Sequence, residues 1–105
     1  MEIKHVYQIY ELVEKINIEE ERKIICRNIK KIRKQLYNNY KEQYHGVQGY
    51  QNPYSTENVS SYLGISKVHY KRLENEKDKC KYVTLDNLIK LSYIFDKKVD
   101  DFINE

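Results

Sequence analysis

The stretch VSSYLGIS, Val59–Ser66, decides how this chain is read. Val59 and Leu63 stand four residues apart, the spacing of one helix face. Gly64 then interrupts the pattern and is followed by Ile65 and Ser66. A helix end needs a residue at positive φ to turn the chain, and glycine adopts it without steric penalty. Serine is a favoured N-cap, so Ser66 opens a second helix with Tyr70 and Leu73 inward, while Ile65 anchors the bend in the core. Two helices joined this tightly approach closely, and Ser60 supplies a small residue at their crossing. Ser55 caps the first of them, with Glu57 in its first turn, where the helix dipole favours an acid.

Working outward, Ile3, Val6, Tyr10, Val13 and Ile16 recur at three- and four-residue steps and predict an amphipathic helix over 2–16, which needs its own core or a partner to cover it. Asn17 and Glu20 have capping-box spacing and start a second helix running to about Tyr44. Its apolar stripe is Ile25, Ile29, Ile32 and Leu36, and Arg22, Lys23, Lys30, Lys31 and Lys34 face elsewhere. HGVQGYQNPYS, from residue 45, concentrates Gly46, Gly49 and Pro53 and reads as a loop. Beyond a Lys-rich connection, Thr84 caps a helix with Leu85, Leu88, Leu91 and Phe95 inside. Val99, Phe102 and Ile103 predict a last short helix, and Asp100-Asp101 look like its start. No strand alternation and no repeat is visible, so the fold class expected is all-α.

The chain has 105 residues, enough for one domain with a modest core. Charged residues make up 33% of it and Gly and Pro total four, which suits helices better than a β-sandwich. The net charge of +3 is unevenly placed: residues 1–20 sum to −3, 21–42 to +6, 67–81 to +3 and 82–105 to −2. Two basic segments between acidic ends suit an anionic partner, or are Lys-rich helices solvating themselves. No apolar run approaches the ~18 residues of a membrane span and no signal peptide is evident, so a cytosolic protein without a membrane partner is expected. Cys26 and Cys80 lie far apart with no ligand spacing and are read as free thiols, with no metal site. His5, His45 and His69 are scattered, and no phosphate loop or nucleophile motif occurs, so neither an enzyme nor a cofactor is expected. Tyrosines mostly fill cores with the hydroxyl at the surface, the reading preferred for Tyr10, Tyr62, Tyr70 and Tyr93. Tyr44, Tyr50 and Tyr54, around the loop, are candidates for stacking on bases, reaching a phosphate or packing on a partner.

The stretch YSTENVSSYLGISKVHYKRLENEKDK, from Tyr54, resembles the helix-turn-helix of the XRE family, the Cro- and phage-repressor-like DNA-binding domains. Ser60, Leu63-Gly64-Ile65-Ser66, Tyr70 and Leu73-Glu74-Asn75 match that family's pattern in register. Upstream IKKIRKQL (Ile29–Leu36) looks like its first helix, and TLDNLIKLSYIFDKKVDDFI, from Thr84, like its fourth and fifth. The likeness covers about 25–105. The chain departs from the pattern in a longer connection between the first two helices, in Thr56 where a Gln is common, and in Glu76 where a Gly usually follows Glu-Asn.

The resemblance implies a five-helix repressor-like domain over 21–105, with the helix-turn-helix proper at 55–75 and a loop insertion at 45–54, preceded by a helical extension, 1–20. It implies a buried Arg33–Glu74 pair and a second helix that enters the major groove. On that helix Lys67, Val68, His69, Lys71 and Arg72 are the candidate base contacts: Arg72 or Lys67 can donate to guanine O6 and N7, and Val68 can touch a thymine methyl. Thr56, Ser66, Lys77 and Lys79 are candidate phosphate contacts, which fix register and carry no sequence information. The function implied is a sequence-specific double-stranded DNA-binding regulator, a homodimeric repressor. The alternative is a phage or mobile-element protein of the same look that binds a protein, as antitoxins and anti-CRISPR inhibitors do, through residues 1–20 or 45–54.

Overall fold

A computed structural model describes residues 3–47, 49, 51–78 and 83–104. All regular structure among them is helical. The order is α1 (Val6–Lys15), α2 (Ile18–Gln43), α3 (Thr56–Leu63), α4 (Lys67–Leu73), a 3-10 turn (Glu76–Asp78), α5 (Leu85–Ile94) and α6 (Asp100–Ile103). No helix among the described residues is long and apolar enough to cross a membrane.

Side-chain caps set where four of the helices start. Asn17, Ser55, Ser66 and Thr84 accept from the backbone N–H of Glu20, Asn58, His69 and Asn87, each satisfying one of the donors a helix start leaves over. α3 ends as Gly64 requires: it sits at φ +73°, Ile65 N–H donates to Ser60 O (3.0 Å) and Gly64 N–H to Ser61 O (3.1 Å). That is a Schellman turn. α5 closes the same way without glycine. Asp96 stands at φ +52°, with Lys97 N–H on Ser92 O and Asp96 N–H on Tyr93 O.

The core gathers Ile29 of α2, Val59 and Leu63 of α3, Tyr70 and Leu73 of α4, Leu88 and Leu91 of α5, then Phe95 and Phe102. α2 is its spine, with Ile25, Ile32 and Leu36 packed at the edge. α6 docks on α2 where Asn28 Nδ2 donates to the carbonyls of Phe102 and Asn104, both at 2.8 Å. The segment before α3 is tied to α2 by Asn52, whose Nδ2 donates to Tyr37 O (2.9 Å) and whose Oδ1 accepts from Tyr54 N–H.

Several expectations are corrected here. Cys26 is fully buried and disulfide-bonded, so it is no free thiol; sequence separation does not report which sulfurs a fold brings together. The same expectation for Cys80 lies outside the described residues. The first helix begins at Val6 and not near residue 2, with the His5 N–H donating to Gln8 Oε1 (2.8 Å). Leu85 is 70% exposed because it starts α5 one turn before that helix reaches the core. Tyr10, Tyr62 and Tyr93 are exposed and fill no core: Tyr62 is one residue from Leu63 and Tyr93 two from Leu91, which turns both out of the buried stripe. Tyr70 is buried whole, hydroxyl included.

Candidate nucleic-acid interface

α4 is short, and its inner side fixes it. Tyr70 and Leu73 are fully buried, and Glu74, the residue that ends the helix, is buried with them. Arg33 of α2 meets Glu74 with two parallel bonds, Nε to Oε2 at 2.6 Å and Nη2 to Oε1 at 3.2 Å. Its third nitrogen, Nη1, donates to Tyr54 O (3.2 Å). The Tyr70 hydroxyl, one helical turn before Glu74, donates to the same carboxylate. A buried carboxylate is costly unless it is paired and its lone pairs are used, and here a fork and a hydroxyl use them. Burial, then the charge of Glu74 and the bond to it, push the Tyr70 pKa well above its ordinary value. For Arg33, burial works to lower the pKa, but the bond and charge of Glu74 outweigh it and the guanidinium is held above its usual value. The cluster locks α2, the segment before α3 and the end of α4 into one body.

The turn after α4 needs no glycine. Glu74 stays in the right-handed region, Asn75 Oδ1 accepts from Lys77 N–H (3.0 Å), and the chain continues into the 3-10 turn. Glu76 there pairs with Arg27 of α2, a cross-link between that turn and the long helix.

With its inner side so held, α4 presents Lys67, Val68, His69, Lys71 and Arg72 to solvent, every one exposed. Val68 is 66% exposed, an apolar side chain without cover between cationic neighbours. Lys67 lies 3.8 Å from Glu57 of α3, a surface pair of little energy. The expected phosphate contacts scatter more. Ser66 is exposed and its oxygen already caps α4; Thr56 opens α3 half-buried; Lys77 is exposed in the 3-10 turn. Lys79 lies outside the described residues.

The loop tyrosines part company. Tyr54 is half-buried, its ring 6.3 Å from Phe95 and from Tyr40, so it packs against the core. Tyr44 stacks on Tyr40 at 4.4 Å, and Tyr50 lies outside the described residues. Sequence reasoning missed the Tyr70 hydroxyl, Arg27 and Asn52. Tyr70 and Glu74 at i, i+4 could have signalled the first, and for Arg27 its place in the ridge Lys23, Arg27, Lys30, Lys34, Lys41 at three-, four- and seven-residue steps along α2. Asn52 gave no signal.

No family model, no curated protein and no solved structure matches this chain.

Proposed function

We propose that the protein is a sequence-specific double-stranded DNA-binding regulator, a repressor acting as a homodimer in the cytosol, with α2 to α6 arranged as a repressor-like helix-turn-helix domain and 1–20 as an extension. The observation that carries this reading is the two-sided character of α4. One side is pinned by a buried ion pair and two core side chains, and the other is a rigid, exposed row of Lys67, Val68, His69, Lys71 and Arg72. Groove reading needs rigidity on one side and hydrogen-bond donors with an apolar contact on the other. Along α2, Lys30, Lys34 and Lys41 add positive charge suited to a phosphate backbone. In a reducing cytosol the disulfide at Cys26 would be opened, leaving the Arg33–Glu74 pair and the packed core to hold α4.

The second reading, a protein-binding role, is favoured by one observation: α1 carries a large apolar face and buries none of it. Titration of a labelled duplex mixture with wild type, K67A/R72A and a variant altered only on α1 separates the two. The DNA reading expects K67A/R72A to lose most binding, on the order of 1–3 kcal/mol for each base contact removed. Unchanged binding by K67A/R72A would move the function to α1 or the loop.

A further inference from the structure

We propose that α1 is a dimerisation helix, pairing antiparallel with α1 of a second copy of this chain. The proposal rests on the homodimer in the reading above and is independent of its DNA-binding half.

A single copy leaves this helix uncovered. No residue of α1 is buried, and nine of the sixteen exposed large apolar side chains among the described residues fall within 3–18. Val6, Ile9, Val13 and Ile16 follow one another at alternating three- and four-residue steps, which makes one continuous seam. Tyr10 and Leu12 widen it on either side. A lone helix of ten residues is marginal in water, so an apolar stripe this long stabilises it only when something covers the stripe.

Area and charge together point to a second copy as the cover. A compact monomer of 12.8 kDa exposes about 6,300 Å². This chain exposes 8168 Å², a surplus of about 1,900 Å², more than the about 800 Å² each partner contributes to a standard interface. Its radius of gyration, 16.9 Å, likewise exceeds the about 13 Å of a compact domain of this length. Lys4 and His5 sit at the start of α1, and Glu19, Glu20 and Glu21 follow shortly after its end. Antiparallel pairing sets Lys4 of each copy near Glu19 of the other and opposes the two helix dipoles. Parallel pairing would set glutamates against glutamates. The seam also reads the same in reverse about residue 11. Val6 falls opposite Ile16 of the second copy and Ile9 opposite Val13, so a two-fold axis matches β-branched residues throughout.

Sedimentation equilibrium of the full chain without DNA, up to about 100 µM, tests this. The wild type should run at twice the 12.8 kDa of one chain, and Val6→Glu combined with Val13→Glu should return it to the single mass. Those side chains are exposed in one copy, so the variant's melting transition at low concentration reports that its core still folds. If the charged variant unfolds, Ile9→Ala with Val13→Ala takes its place and should weaken dimerisation at least tenfold. A spin label in place of Lys4 fixes the orientation. The antiparallel pair separates the two Lys4 sites by about 20 Å along the helix axis, whereas a parallel pair brings them side by side. A monomeric wild type, a dimer indifferent to both variants, or adjoining labels would each overturn the proposal. DNA binding by a monomer would overturn it while leaving the DNA reading intact; an α1 dimer that binds no DNA would do the reverse.

Discussion

α4 has seven residues and buries two of them, whereas α1 has ten and buries none. Both are amphipathic, and by length α1 is the better helix. The difference lies in what each apolar side meets. α4 packs on α3, with its start capped by Ser66 and its end tied by the Arg33–Glu74 pair, so a short segment of modest propensity is held in one place. α1 is joined to α2 by two residues, and none of its own residues is buried. Pattern decides whether a segment can be a helix with two faces, and the partner decides whether that helix has a fixed position.

Removing an anchor from α4 is the harshest way to test the contrast. Glu74→Ala leaves the Arg33 guanidinium buried without a counter-charge and should cost about 3–5 kcal/mol, read as a large fall in the midpoint of urea unfolding. Tyr70→Phe removes one bond to a charged group and should cost about 1.5–3 kcal/mol near neutral pH. It should also change the alkaline limb. The folded pKa of Tyr70 is raised, so its contribution is complete below the unfolded value near 10 and is lost as pH rises above it, by up to about 1.4 kcal/mol per pH unit. Unfolding followed from pH 9 to 11 should be steeper in wild type than in Tyr70→Phe; equal slopes would mean that burial beside Glu74 does not keep the hydroxyl protonated.

The turn before α4 comes next. A Cβ at Gly64 would meet nothing within 4 Å, so Gly64→Ala carries only the backbone cost of φ +73°, about 1–2 kcal/mol. Asp96→Gly, at the matching turn after α5, should go the other way and stabilise slightly. Thermal melts of both variants check the pair of signs. The smallest effect belongs to α1. Val13→Ala, measured at concentrations where the chain is monomeric, should move stability by less than about 0.5 kcal/mol, and a loss of 2 kcal/mol would show that α1 packs on its own core.

Much of this was legible in the sequence because the signals are local. Gly64, Ser66, Ser55, Asn17 and Thr84 each sit where a helix must start or stop, and the inward positions Ile29, Val59, Leu63, Tyr70, Leu73, Leu88 and Leu91 follow one period. Where tertiary placement decides, the pattern misled. Leu85 has the right spacing but lies beyond the edge of the packed body, and Tyr54, in a loop by composition, turns into the core. The Arg27–Glu76 pair and the hold of Asn52 on Tyr37 join residues far apart in the chain or lacking any periodic mark, and no window of sequence shows them. For the α4 surface, exposure of Lys67, Val68, His69, Lys71 and Arg72 followed from Tyr70 and Leu73 being inward; what touches that surface does not follow from burial.

Selection from a random duplex library by the purified chain, repeated across a salt series, addresses that question most directly. A DNA reader built on α4 should enrich an inverted repeat with half-sites about one helical turn apart, and its affinity should fall steeply with salt. K67A/R72A should fail to enrich it. No enriched site, with only weak salt-sensitive retention, would contradict the DNA-binding function.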